Sequence, residues 1–110
     1  MTDTQARIEA GMAVLRGRFV ERLPARLDEF AAALAAIPEA GGEDARSHMA
    51  RLAHSLAGAA GTFGFDALTA AARRLDACLR DPASPRALVA AGLAEVSSAT
   101  TSIVGDGAID

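Results

Sequence analysis

Residues 47–64 read Ser-His-Met-Ala-Arg-Leu-Ala-His-Ser-Leu-Ala-Gly-Ala-Ala-Gly-Thr-Phe-Gly, and this stretch decides the fold. At about 100° per residue, its apolar side chains fall within an arc of roughly 120°, the pattern of a helix that packs one face on a core. That arc contains Met49, Leu52, Ala53, Leu56, Ala59, Ala60 and Phe63. The sequence therefore predicts an amphipathic helix here.

Short breaks divide the rest of the chain into further helices. The central helix is predicted from about residue 43 to 62, another from Asp66 to Asp81-Pro82, and a last one from Ser84-Pro85 onward. Upstream, an apolar stripe over about 4–37 is interrupted at Pro24, which predicts either two helices or one kinked helix. We expect an all-α fold, an up-down antiparallel four-helix bundle with an additional N-terminal capping helix.

The composition supports one small helical domain. The 110 residues are rich in Ala and Leu and contain no Trp or Tyr, which favours helices over strands. We expect a single domain over 1–110 with a flexible tail over about 105–110. Cys78 is the one cysteine, which excludes an intramolecular disulfide and a cysteine-based metal site.

Charge and hydropathy narrow the function classes. A net charge of -3 does not indicate the basic surface that nucleic-acid-binding proteins present. The N-terminus lacks the apolar core of a secretory signal, and no run reaches the ~18 apolar residues of a membrane span. We therefore expect a cytoplasmic protein that binds neither nucleic acid nor membrane.

His54 lies about 160° from the centre of the apolar arc, so we expect its imidazole to point away from the core. Its neighbours one turn away are small: Ala50, Ala57, Gly58 and Gly61, with Ser47, Arg51 and Ser55 at the margins. A glycine in mid-helix costs roughly 1 kcal/mol relative to Ala, which calls for a reason such as close approach by another molecule. An ordinary surface histidine in an Ala-rich helix, or a closely packed neighbouring helix, would give the same pattern.

The string from His54 to Gly64 resembles the signature of histidine phosphotransfer (HPt) domains of two-component phosphorelays. The match covers His54, Leu56, Gly58, Phe63 and Gly64 at the family's spacing. The flanking segments 19–27 and 68–76 resemble family segments as well. The resemblance implies that His54 is the phosphorylated residue, that Gly58 keeps the surface clear, that Leu56 and Phe63 are core residues, and that Gly64 ends the helix.

The resemblance also implies a phosphocarrier without catalytic machinery of its own, not an enzyme. His54 would accept a phosphoryl group from a receiver-domain aspartate, or from a kinase, and pass it to another receiver aspartate. The partners would be response-regulator receiver domains and possibly a hybrid histidine kinase. No cofactor or metal is expected on this chain, since Mg²⁺ would be held by the receiver.

One position departs from the family pattern, because Ala57 stands where many members have Lys. Arg51 could supply the cation instead, and Arg73 or Arg74 are further candidates. We expect the surface used for docking and for the phosphoryl group to comprise Arg51, Ser55, Ala57, Gly58 and Gly61.

The missing Lys leaves open a second function, a non-phosphorylated module that binds receiver domains through the same face. A third reading, the dimeric phosphoacceptor helices of a sensor kinase, fits less well because Ser55 and residues 57–59 lack the acidic and proline partners of that class. We expect a monomer. His48, about 120° around the helix from His54, is expected to be a flanking residue and not a second phosphorylation site.

Overall fold

A computed structural model describes residues 2–108, which form four helices and no strand. The helices are α1 (Asp3–Ala35), α2 (Glu43–Thr62), α3 (Asp66–Arg80) and α4 (Arg86–Ala108). Each helix packs on the next along the chain, and α4 returns to contact α1. Short connections make neighbouring helices antiparallel, so the predicted up-down four-helix bundle is confirmed.

The additional N-terminal helix is not a separate element, because α1 runs without a break through both Gly17 and Pro24. Pro24 is exposed, whereas Leu23 beside it is 1% exposed and faces the core. The proline ring and the backbone carbonyl that it leaves unbonded therefore lie on the solvent side, where water can satisfy the carbonyl. Of the two alternatives, continuous helix is the correct one.

The core lies between all four helices and consists mainly of Leu, Val and Ala, with one fully buried Met and one Phe. Its largest fully buried apolar side chains are Leu23, Phe30, Met49, Leu56, Leu68, Leu75, Val89 and Val96. At one end of the bundle, two arginines bridge helix ends. Arg46 donates to the carbonyls of Cys78 and Asp81, and Arg86 donates to those of Leu34 and Ile37. These bonds tie the start of α2 to the end of α3 and the start of α4 to the end of α1.

The turn between α2 and α3 fixes how these two helices face each other. Gly64 has φ 77°, a left-handed conformation that glycine adopts without strain, and the Phe65 N–H donates to the Ala60 carbonyl at 3.0 Å. The rings of Phe63 and Phe65 pack on Phe19 of α1 at 5.4 and 5.7 Å between centroids. The turn is therefore held at both its backbone and its side chains.

The last helix differs from expectation in two respects. Its helical backbone continues past Gly105 to Ala108, where a flexible tail was expected; residues 109 and 110 of that tail lie outside the described part of the chain. One glycine weakens a helix by about 1 kcal/mol but does not by itself end it. The second difference is that Arg86–Gly105 is long and apolar enough to cross a membrane, judged by length and composition alone, whereas no such run was expected. Core helices of soluble proteins satisfy the same criterion.

Candidate functional site

His54 stands in the middle of α2 with 78% of its side chain exposed. It is far more exposed than the apolar residues on either side of it, since Ala53 and Leu56 are both fully buried. The helix itself is anchored by these core residues, so the imidazole projects from a rigid element. The position of the ring outside the core agrees with the helical-wheel analysis.

The buried face of α2 is nevertheless rotated from the predicted one. Ala50 and Ala57 are 2% and 6% exposed, whereas Leu52 and Phe63 are only partly buried. The centre of the buried arc shifts by about 60° toward the alanines, which places His54 about 100° from it. The assignment of Ala57 to the docking surface was therefore wrong. The physical reason is that small side chains let α2 and α3 pack closely, so the alanine side is covered more completely than the leucine side.

This rotation brings His54 to the edge of α3, beside Asp76. His54 Nδ1 lies 3.3 Å from Asp76 Oδ2, and the Asp76 side chain is only 16% exposed. An ionised carboxylate can only accept hydrogen bonds, so the bond requires the proton to be on Nδ1. When the ring is neutral, the other ring nitrogen, Nε2, then carries the free lone pair, as a nucleophile requires.

Arg80 holds the other oxygen of the same carboxylate. Its Nε donates to Asp76 Oδ1 at 2.6 Å, one helical turn along α3. Asp76 is thus fixed between a cation and the imidazole, and its orientation does not depend on His54 alone. The three side chains form a chain of contacts, Arg80 to Asp76 to His54, that joins α3 to the exposed face of α2.

The two glycines on this face are not required by packing within the chain. A Cβ built on Gly58 would meet no described side chain or neighbouring segment within 4 Å, and one on Gly61 would make only ordinary contact with Thr69, at 3.7 Å. Both glycines are exposed. The surface one and two turns beyond His54 is therefore bare, and nothing in the described fold explains why.

Basic residues lie on both sides of the exposed face. On the α3 side, Arg51 and Arg80 line an open cleft of about 870 Å³ between the ends of α2 and α3. On the α1 side, Arg22 and Arg26 line a groove that also includes Ser55. Arginines therefore lie on both sides of this face, together with carboxylates: Glu29 in the groove, Glu39 and Glu43 in the cleft, and Asp76 beside the ring.

The other candidate side chains fall in different places. Arg74 pairs with Glu95 of α4 at 3.0 Å, so it is engaged away from His54, whereas Arg73 is exposed on α3. His48 is exposed near the start of α2. Among the side chains that the structure describes, those of residues 2–105, no three His, Cys, Asp or Glu are grouped as metal ligands would be.

A comparison with protein-family models adds independent information. The model for the Hpt domain matches residues 14–101, which is most of the chain. The chain belongs to the Hpt domain family. Searches of curated proteins and of solved structures found no match.

Hpt domains are helical bundles that serve histidine phosphotransfer in two-component systems, so the family and fold suggested by the sequence are confirmed. Within this Hpt domain, Leu56 is fully buried, Phe63 is partly buried on Phe19, and Gly64 forms the turn. These three residues hold the helix that carries His54.

Sequence analysis did not identify Asp76 as part of the site. A signal for it exists, because two antiparallel helices joined by a tight turn bring together residues equally distant from that turn. The turn of this Hpt domain spans residues 63–65, and counting outward from Gly64 places residue 74 opposite residue 54, so Asp76 lies within one helical turn of that position. A further helical turn along α3 from Asp76 reaches Arg80.

Proposed function

We propose that this Hpt domain carries a phosphoryl group on Nε2 of His54, accepted from the aspartyl phosphate of a receiver domain or from a kinase and passed to another receiver aspartate. The observation that carries the proposal is the contact between His54 Nδ1 and Asp76, because in the neutral ring it favours the proton on Nδ1 and the lone pair on Nε2. An exposed histidine without such a contact would have no preference imposed on its tautomer.

In the proposed transfer, the Nε2 lone pair attacks phosphorus while the bond between phosphorus and the aspartate oxygen breaks. The aspartate leaves as a carboxylate, and the N–P bond forms. The ring gains positive charge, which the Asp76 carboxylate offsets across the Nδ1–H bond. The reverse sequence delivers the group to the next receiver. Mg²⁺ and most of the positioning would come from the receiver, which makes this chain a carrier and not an enzyme.

We assign the cationic role of the missing Lys to Arg51 and Arg80. Both line the cleft between the start of α2 and the end of α3; Arg51 lies about one helical turn before His54, and Arg80 is positioned by Asp76. Two other arginines of the cleft, Arg46 and Arg86, are bonded to backbone carbonyls and are less available. A guanidinium presents several N–H donors to phosphate oxygens, which suits this role.

The test is transfer from a phosphorylated receiver domain to the purified chain. We expect label on the protein that is stable in alkali and lost in acid, as for phosphohistidine. His54→Ala should abolish it, and the matched control His48→Ala should leave it unchanged, since His48 is also exposed on α2. Equal labelling of His54→Ala and the unmodified chain would refute the proposal.

The second candidate is a receiver-binding module that is not phosphorylated, and Ala57 in place of Lys is the observation that favours it. The same experiment separates the two functions, because such a module would bind the receiver without taking up label. For either function we propose receiver domains and a hybrid histidine kinase as partners and the cytoplasm as the compartment.

A further inference from the structure

The two oxygens of the Asp76 carboxylate face different hydrogen-bond donors. Oδ2 lies 3.3 Å from His54 Nδ1, and Oδ1 accepts from Arg80 Nε at 2.6 Å. The Asp76 side chain is only 16% exposed, which limits the screening of these contacts by water. Arg80 occupies one oxygen and leaves the other for the ring, and an ionised carboxylate can only accept hydrogen bonds. Asp76 is therefore a fixed acceptor for a proton on Nδ1.

The same acceptor acts on the phosphorylated ring, a consequence that rests on the function proposed above. A neutral ring that gains a phosphoryl group on Nε2 and keeps its Nδ1 proton carries a positive charge. The N–P bond then breaks when an oxygen of water or of an acceptor aspartate attacks phosphorus and the electron pair of the bond passes to Nε2. With the proton on Nδ1, the group that leaves is neutral imidazole. Without that proton an imidazolide anion must leave, which is far less favourable.

The charges around His54 act on this proton in opposite directions. Arginines disfavour a positively charged ring at every pH near neutral, whereas ionised carboxylates favour it. The other charged side chains that line or border the exposed face are Arg51 on α2, Arg73 and Arg80 on α3, and Arg22, Arg26 and Glu29 on α1. Within residues 2–108, α4 does not pack on α2. Among the described side chains, Asp76 is the one that a hydrogen bond joins to the ring, so it has the strongest hold on the Nδ1 proton.

We propose that Asp76 keeps the proton on Nδ1 of His54 after phosphorylation, and that it thereby makes the phosphohistidine of this chain short-lived and ready to transfer. Asp76 then sets how long the phosphoryl group stays on the ring, besides setting the tautomer that receives it. Both carboxylate oxygens are needed, because an Asn at this position would offer one oxygen to two donors, Arg80 and the ring. With that oxygen on Arg80, the amide NH₂ would face Nδ1 and donate to it, which favours a ring without the Nδ1 proton.

The test measures the lifetime of the phosphoryl group on His54 without a partner protein. In a His48→Ala background, His54 is the one remaining histidine, and phosphoramidate, a small-molecule phosphoryl donor, loads it. Decay is followed by ³¹P NMR from about pH 6 to about pH 9, the range in which imidazole protons are lost. Asp76→Asn should lengthen the lifetime about tenfold at the alkaline end and lower the pH at which decay slows by about one unit. Because no receiver is used, the result is separate from whether a receiver domain phosphorylates His54.

Asp66→Asn is the matched control, since Asp66 is exposed on the same helix about 15 Å from Asp76, and its decay profile should equal that of the parent chain. The ¹⁵N shift of Nδ1 gives a second readout that needs no variant at this position. In the folded phosphorylated chain, Nδ1 should keep its proton to a pH about one unit higher than in the same chain unfolded in urea.

Three outcomes would overturn the proposal. The first is an unchanged lifetime in Asp76→Asn. The second is a lifetime lengthened equally at every pH, which would mean that the carboxylate acts by repelling the phosphoryl group and not through the proton. The third is loss of the Nδ1 proton at the same pH in the folded and the unfolded chain.

Discussion

Gly58 provides the sharpest test of the idea that the surface beside His54 is kept bare for a partner. A Cβ at this position would meet no described side chain within 4 Å. Gly58→Ala should therefore stabilise the protein by about 0.5–1 kcal/mol, the difference between the two residues in an exposed helix interior. For a domain of this size, that corresponds to a rise of about 2–6 °C in the melting temperature.

A larger side chain separates stability from docking. Gln is nearly as good a helix former as Ala, so Gly58→Gln should keep most of the stability gain. It should nevertheless slow phosphotransfer from a receiver about tenfold or more, because displacing the reacting atoms by about 1 Å can cost on the order of 100-fold in rate. Thermal unfolding measures the first effect, and single-turnover transfer measures the second.

Gly17 of α1 supplies the matched control. It too is exposed in mid-helix with no neighbouring atom within 4 Å of a built Cβ, but it is remote from His54. Gly17→Gln should raise the melting temperature similarly and leave transfer unchanged. Transfer to Gly58→Gln at the unmodified rate would show that the bare surface has no docking role, and a lower melting temperature for Gly58→Ala would contradict the open geometry.

Three further variants test other parts of the structure. Asp76→Asn should slow phosphotransfer about tenfold, because a hydrogen bond to a charged group is worth about 1.5 kcal/mol. The stability of the fold should change little. An unchanged transfer rate would exclude a positioning role for Asp76. Thr100→Val should raise the urea midpoint of unfolding by the equivalent of about 1 kcal/mol, because the Thr100 hydroxyl is buried and has no partner among the described residues. Thr69→Val should lower the midpoint instead, because the Thr69 hydroxyl donates to the Phe65 carbonyl at 2.8 Å. Arg86→Met should destabilise the fold by about 2 kcal/mol in urea unfolding, because the variant loses the Arg86 bonds to the end of α1. Arg73→Met, at an exposed position, should have little effect. An equal loss of stability in the two variants would contradict the bridging role of Arg86.

The helix boundaries could be predicted because the signals that set them are local. The Gly64 turn and the Asp81-Pro82 stop act within a few residues, and α2 and α3 begin and end where these signals place them. The effect of Pro24 could not be predicted in the same way. Whether a proline breaks a helix depends on which side of the helix meets solvent, and that is decided by the packing of α1 on the rest of the bundle.

The difference between local signals and packing between helices also explains what could be predicted about the site. Exposure of His54 follows from its own helix, and the periodicity was sufficient to predict it. The burial of Ala50 and Ala57 was not predictable from periodicity, because alanine is compatible with either a buried or an exposed position and only the contact with α3 decides between them. The rotation that results is what brings the ring to Asp76.

The closeness of α2 and α3 is therefore a condition for the chemistry as well as for stability. Large side chains at 50 and 57 would hold the helices apart, and a His54 Nδ1 that is 3.3 Å from the carboxylate would lose its acceptor after a separation of only about 0.3 Å. Arg80 cannot compensate, since it holds Asp76 to α3 and not to α2. Ala57, where the family resemblance leads us to expect Lys, thus has two consequences. It removes a cation from the expected place, and it permits the close helix contact through which Asp76, held by Arg80, reaches the imidazole.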